Sequence, residues 1–173
     1  MSNIDKDIIV DFVDESKVII DDLLKILENV EGNFSQVKRL EEYGQRVDRI
    51  MGGAKSLALL AGPQHGLHVI GDYADLCKAV GYKASQIRGN APLFDICVAL
   101  LFDATEALSD GIENLADDET SSALRGSLSA TFLERLRWVS NQFGADVRAS
   151  VGSGSEKMDQ SDIDSLLRKL GVG

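Results

Sequence analysis

Residues 34–61 run FSQVKRLEEYGQRVDRIMGGAKSLALLA, and the spacing of their apolar side chains sets the fold class. Val37, Leu40, Gly44, Val47, Met51, Ala54 and Ala58 recur at three- and four-residue steps, which is the period of a helix with one inward stripe. Gly32-Asn33 precedes the stretch and Gly62-Pro63 follows it, so it is punctuated at both ends. The same period governs the rest of the chain. Ile8, Phe12, Ile19, Leu23, Ile26 and Val30 predict a first helix over about 4–30. Pro63 suits the first turn of a third helix, over about 63–80, that carries Leu67, Ile70, Ala74 and Cys77 and closes at Gly81. Residues 81–91 then form a connection, and Pro92 opens a fourth helix to about Leu115. A fifth spans about 121–143, with Leu124, Leu128, Phe132, Leu136 and Val139 inward, Asp118 or Ser121 as its cap and Gly144 as its stop. No run alternates with period two and no Asn-Gly or Asp-Gly hairpin turn occurs. The expected class is all-α: an up-and-down antiparallel helical bundle of about five helices, plus a short tethered helix at the C-terminus.

That last helix follows a change of composition. ASVGSGS at 149–155 has no large apolar group and reads as a flexible linker, over 145–158, after a bundle at 1–144. Residues 159–173 then hold one amphipathic segment, in which Ile163, Leu166, Leu167 and Leu170 make one face and Ser161 is a plausible N-cap. Asp162 and Asp164 sit toward its positive end and Arg168-Lys169 toward its negative end. So short a helix is unstable alone in water and must dock, either on its own bundle or in a partner's groove.

The chain has 173 residues, with 18 Lys+Arg against 28 Asp+Glu and a net charge of −10. This size sustains a core without disulfides or metals, and Cys77 and Cys97 fit a reducing compartment as buried thiols. The acidic balance argues against nucleic acid and anionic membrane as partners. No apolar run is long enough to span a bilayer, and the N-terminus lacks the basic region of a signal peptide, so a cytoplasmic location is expected.

Chemistry gathers on one edge of the second helix. At 100° per residue Glu41, Gln45, Asp48 and Gly52 fall within about 60° of one another, turned away from the apolar stripe. A solvated helix face always carries such residues. Their combination nonetheless has a use: an amide both donates to and accepts from a water, a carboxylate one turn away holds a cation or orients that water, and a glycine admits another backbone. Those are the requirements for placing a water in line with a phosphoryl group. His65 and His68 lack a third ligand of clear spacing and make a poor metal site, better read as surface or half-buried residues.

Two resemblances join these observations. VDFVDESKVIIDDLLKIL and VDRIMGGAKSLALL, within about residues 8–80, resemble histidine phosphotransfer (Hpt) domains, whose motif is H-x-x-K-G-S-A. The family's phosphorylated histidine falls on Asp48, its lysine on Met51, its glycine on Gly52 and its alanine on Ala54. The resemblance thus implies a degenerate Hpt-like bundle without phosphorelay chemistry at that position. Glu41-Glu42-Tyr43-Gly44-Gln45, followed by Arg49-Ile50-Met51, is similar to the D-x-x-G-Q and R-M-M of the CheZ family of chemotaxis phosphatases. There the acid binds a lysine of the CheY-like response regulator and the glutamine orients the water that hydrolyses its aspartyl phosphate. MDQSDIDSLLRKLG at 158–171 resembles that family's C-terminal CheY-binding helix, and the CheY-binding peptide of the flagellar switch protein.

The resemblance implies a phosphatase of a CheY-like response regulator, with Gln45 and Glu41, or alternatively Asp48, as catalytic groups. Gly44, Gly52, Ile163, Asp164, Leu166, Leu167 and Leu170 would meet the partner. The chain would need no cofactor of its own, since Mg²⁺ is supplied by the regulator. An alternative is a non-catalytic pseudo-Hpt module that sequesters or localises the regulator. A third reading makes His65 or His68 a phosphotransfer histidine. CheZ is a dimer of hairpins, whereas here the third to fifth helices complete a bundle within one chain, so a homodimer stays open.

Overall fold

The computed structural model describes residues 4–117, 120, 122–143 and 160–171, and no strand occurs among them. The helices are α1 (Lys6–Val30), α2 (Leu40–Ala58), α3 (Leu67–Ser85), α4 (Ala91–Glu113), α5 (Ser122–Ser127), α6 (Ala130–Ser140) and α7 (Gln160–Lys169), with a 3₁₀ turn at Phe34–Arg39 before α2. The first four helices pack antiparallel in a closed ring, α1 on α2, α2 on α3, α3 on α4 and α4 on α1. The expected up-and-down all-α bundle is therefore present, with α5, α6 and α7 added to its side. No described helix is long and apolar enough to cross a membrane.

Local chemistry sets the element ends. Asp5 caps α1 by accepting from the Asp7 amide at 2.9 Å, and Gly32 ends the turn after it with φ +69°. Asn90 caps α4 through the Leu93 amide at 3.1 Å. Other boundaries differ from expectation. The second helix begins as the 3₁₀ turn and becomes α-helical only at Leu40. The fifth is broken in two, because the Ser129 hydroxyl accepts from the Phe132 amide at 3.1 Å and caps a fresh start at Ala130. The proposed caps Asp118 and Ser121, the stop at Gly144 and the linker at 145–158 lie outside the described residues. Ser161 falls inside α7 rather than at its cap.

The largest correction concerns Gly81. It does not close the third helix, which starts later than expected, at Leu67, and continues to Ser85. A Cβ at Gly81 would lie 2.7 Å from the Tyr43 ring, and one at Gly44 would lie 2.9 Å from the Tyr82 ring. These glycines are where α2 and α3 close on each other, each receiving the other helix's tyrosine. Packing of two aromatic rings offsets the modest helical cost of glycine.

Tyr43 and Tyr73 anchor the core. The Tyr43 hydroxyl lies 2.8 Å from Thr105 Oγ1, and that hydroxyl in turn donates to the Leu101 carbonyl at 2.6 Å, so Tyr43 is the donor to Thr105. Tyr73 donates to the Ala104 carbonyl at 3.0 Å. Burial pushes both phenols well above their ordinary pKa. In α1 the buried track runs through Ile9, Phe12, Val13, Ser16, Ile20 and Leu23, so Ile8 is 42 % exposed and not part of the core.

Candidate functional site on the outer edge of α2

Antiparallel register builds the site from two helices. Each step along α2 is matched by an equal step back along α3: Gly44 meets Tyr82, Asp48 meets Lys78 and Lys55 meets Gly71. The inward side of α2 is apolar, including Leu40, Tyr43, Val47, Ile50 and Ala54. Helical period then leaves Glu41, Gln45, Asp48 and Gly52 on the flank.

Gln45 is exposed, and the two acids next to it on this edge, Glu41 and Asp48, are half-buried residues. Asp48 Oδ1 pairs with Lys78 Nζ at 2.8 Å, and the lysine is the more buried partner. Glu41 makes no ion pair within 4.0 Å among the described residues. Tyr82 lies beneath the edge. Burial first, and then the charges of Asp48 and Glu41, push its phenol up to about 12, so it stays protonated at neutral pH. A Cβ built on Gly52 meets nothing within 4 Å, so the edge is open there. Beyond Glu41, at the end of the hairpin, lies a cleft of about 540 Å³ bordered by Lys38, Glu41, Gln86 and Arg88.

The structure therefore brings Glu41, Gln45, Asp48 and Gly52 together on one surface. Gly44 does not join them: it is buried against Tyr82 and cannot receive a partner's backbone. The sequence reading missed Lys78 and Tyr82. Their signal was the pair of glycines, Gly44 and Gly81, whose mutual approach fixes the hairpin register and thereby puts Lys78 opposite Asp48.

The tail residues are placed elsewhere. The apolar face of α7 packs on α3 and α6, with Ile163, Leu166 and Leu167 at 0 %, 5 % and 1 % exposure. Leu170 and Asp164 are half-buried. Of the two seats open to this helix, the structure holds the one on its own bundle.

His65 and His68 stand at the start of α3. His65 is buried, not a surface or half-buried group, and its Nδ1 accepts from the Leu67 amide at 3.2 Å. Its proton in the neutral form is then on Nε2. His68 is half-buried, and both Nε2 atoms are shielded from solvent. A nucleophilic imidazole needs an accessible nitrogen, and Nε2 offers none at either histidine. The described residues contain no cluster of three or more metal-ligating side chains.

No family model, curated protein or solved structure matches this chain.

Proposed function

We propose that the chain is a phosphatase for the aspartyl phosphate of a CheY-like response regulator. The observation that carries this reading is the exposed Gln45, with Glu41 four residues before it and Asp48 three residues after it on the same edge of α2. Docked on the regulator, Gln45 would hold a water in line with the phosphorus. Water oxygen then bonds to phosphorus as the bond to the regulator's aspartate oxygen breaks. The products are a free aspartate carboxylate and inorganic phosphate. The regulator's own acidic pocket would hold the Mg²⁺ that supplies charge neutralisation for the transferring group.

Of the two acids, Glu41 is assigned to the regulator's lysine, because the Asp48 carboxylate is already engaged by Lys78. Gly52 supplies the close approach that Gly44 cannot. The likeness of residues 158–171 to CheY-binding peptides supports the same partner.

The test is the lifetime of the phosphorylated regulator from the same organism. The full chain shortens it, and Gln45→Ala lowers the acceleration by about 10²-fold, the scale of a misplaced reactant. An unchanged lifetime in a regulator that binds the chain would favour the second reading, a sequestering module. One observation favours that alternative: the Asp48–Lys78 pair leaves a single acid without an ion pair beside Gln45.

A further inference from the structure

Among the described residues, the apolar face of α7 is the feature whose sequence role and observed place conflict. As a partner-binding helix it would present Ile163, Leu166 and Leu167, yet these are the side chains it buries on α3 and α6. Its other face, with Ser161, Asp162, Ser165, Arg168 and Lys169, is exposed and polar. A helix with one apolar stripe cannot cover two apolar surfaces at once.

We infer that α7 is an exchangeable ligand, seated on α3 and α6 in the free chain and transferred to the response regulator in the complex, so that the two seats compete. This rests on the phosphatase reading for the identity of the partner. The competition itself follows from burial. Docking is also close to balance, because a few apolar side chains must offset the ordering of a 10-residue helix that is unstable alone. Residues 141–159 join α6 to α7, and a fully extended chain of that length reaches at most about 65 Å.

One consequence is a masked affinity. The regulator binds more weakly than the exposed helix would allow, by the fraction of chains in which α7 is free. A second is that binding uncovers the α3–α6 face. Because α3 also carries Lys78 and Tyr82, the same helix lies under the candidate edge and under the tail's seat.

Hydrogen exchange on the full chain tests this, alone and with a saturating CheY-like regulator held in its activated state by beryllofluoride. In the complex, amides of 130–140 should exchange about tenfold faster while those of 160–169 stay protected. The free Ile163→Ala variant should show the same loss of protection in 130–140. Protection of 160–169 by the regulator with 130–140 unchanged would overturn the inference and leave the phosphatase reading standing. Unchanged exchange in free Ile163→Ala would also overturn it. A beryllofluoride-activated regulator that alters neither segment, and that when phosphorylated instead keeps its phosphate in the presence of the chain, would overturn the functional reading, and this inference with it.

Discussion

Gly44 and Gly52 are one helical edge apart in sequence logic and opposite in consequence. Gly44→Ala drives a methyl into the Tyr82 ring, 2.9 Å away, and should cost about 1–3 kcal/mol of stability, read from the urea midpoint. Gly52→Ala meets no atom within 4 Å and should raise stability by about 0.5–1 kcal/mol, by relieving a helical glycine. If a regulator docks closely on this edge, the same methyl should weaken its binding. Stability and function would then move in opposite directions at one position. Cys77 gives a pH dependence of known sign. Burial pushes its thiol from 9.0 to about 12, so the folded chain keeps a proton that the unfolded chain loses. Its contribution is complete below pH 9 and is lost as the pH rises from 9 toward 12. Unfolding titrated over that window should fall in midpoint, and less so in Cys77→Ala measured against its own neutral-pH value.

At the scale of elements, α2 was legible because its apolar stripe is punctuated at both ends. Tyr43 and Ile50, both fully buried, were missed because a stripe drawn through small and aliphatic residues passes beside them. Gly81 misled for a physical reason: glycine ends helices in isolation, but in a hairpin it also admits a ring, and only the tertiary partner distinguishes the two. Ser129 misled in the other sense. Its inward neighbours keep helical period across the break, while its hydroxyl caps a new helix. Ser129→Ala should therefore cost about 1 kcal/mol and loosen the start of α6, seen as faster exchange at Phe132. The polar edge was legible as a set of residues on α2. Its second half, Lys78 and Tyr82, was not, because register between helices is set by packing rather than by spacing within either one.

The whole molecule combines a net charge of −10 with a bundle whose central hairpin closes on glycines. The first four helices form a complete ring within one chain, so the edge does not depend on a second copy to support it. The C-terminal helix buries Ile163, Leu166 and Leu167 on α3 and α6, the side chains that the proposed exchange would present to a partner. On the proposed reading Gln45 performs chemistry rather than lining a solvated face. Single-turnover phosphate release from a phosphorylated CheY-like regulator, with wild type and Gln45→Ala at equal occupancy, tests it most directly. Release should be rapid with wild type and near-spontaneous with Gln45→Ala, although both bind. Equal release rates for the two proteins would contradict it.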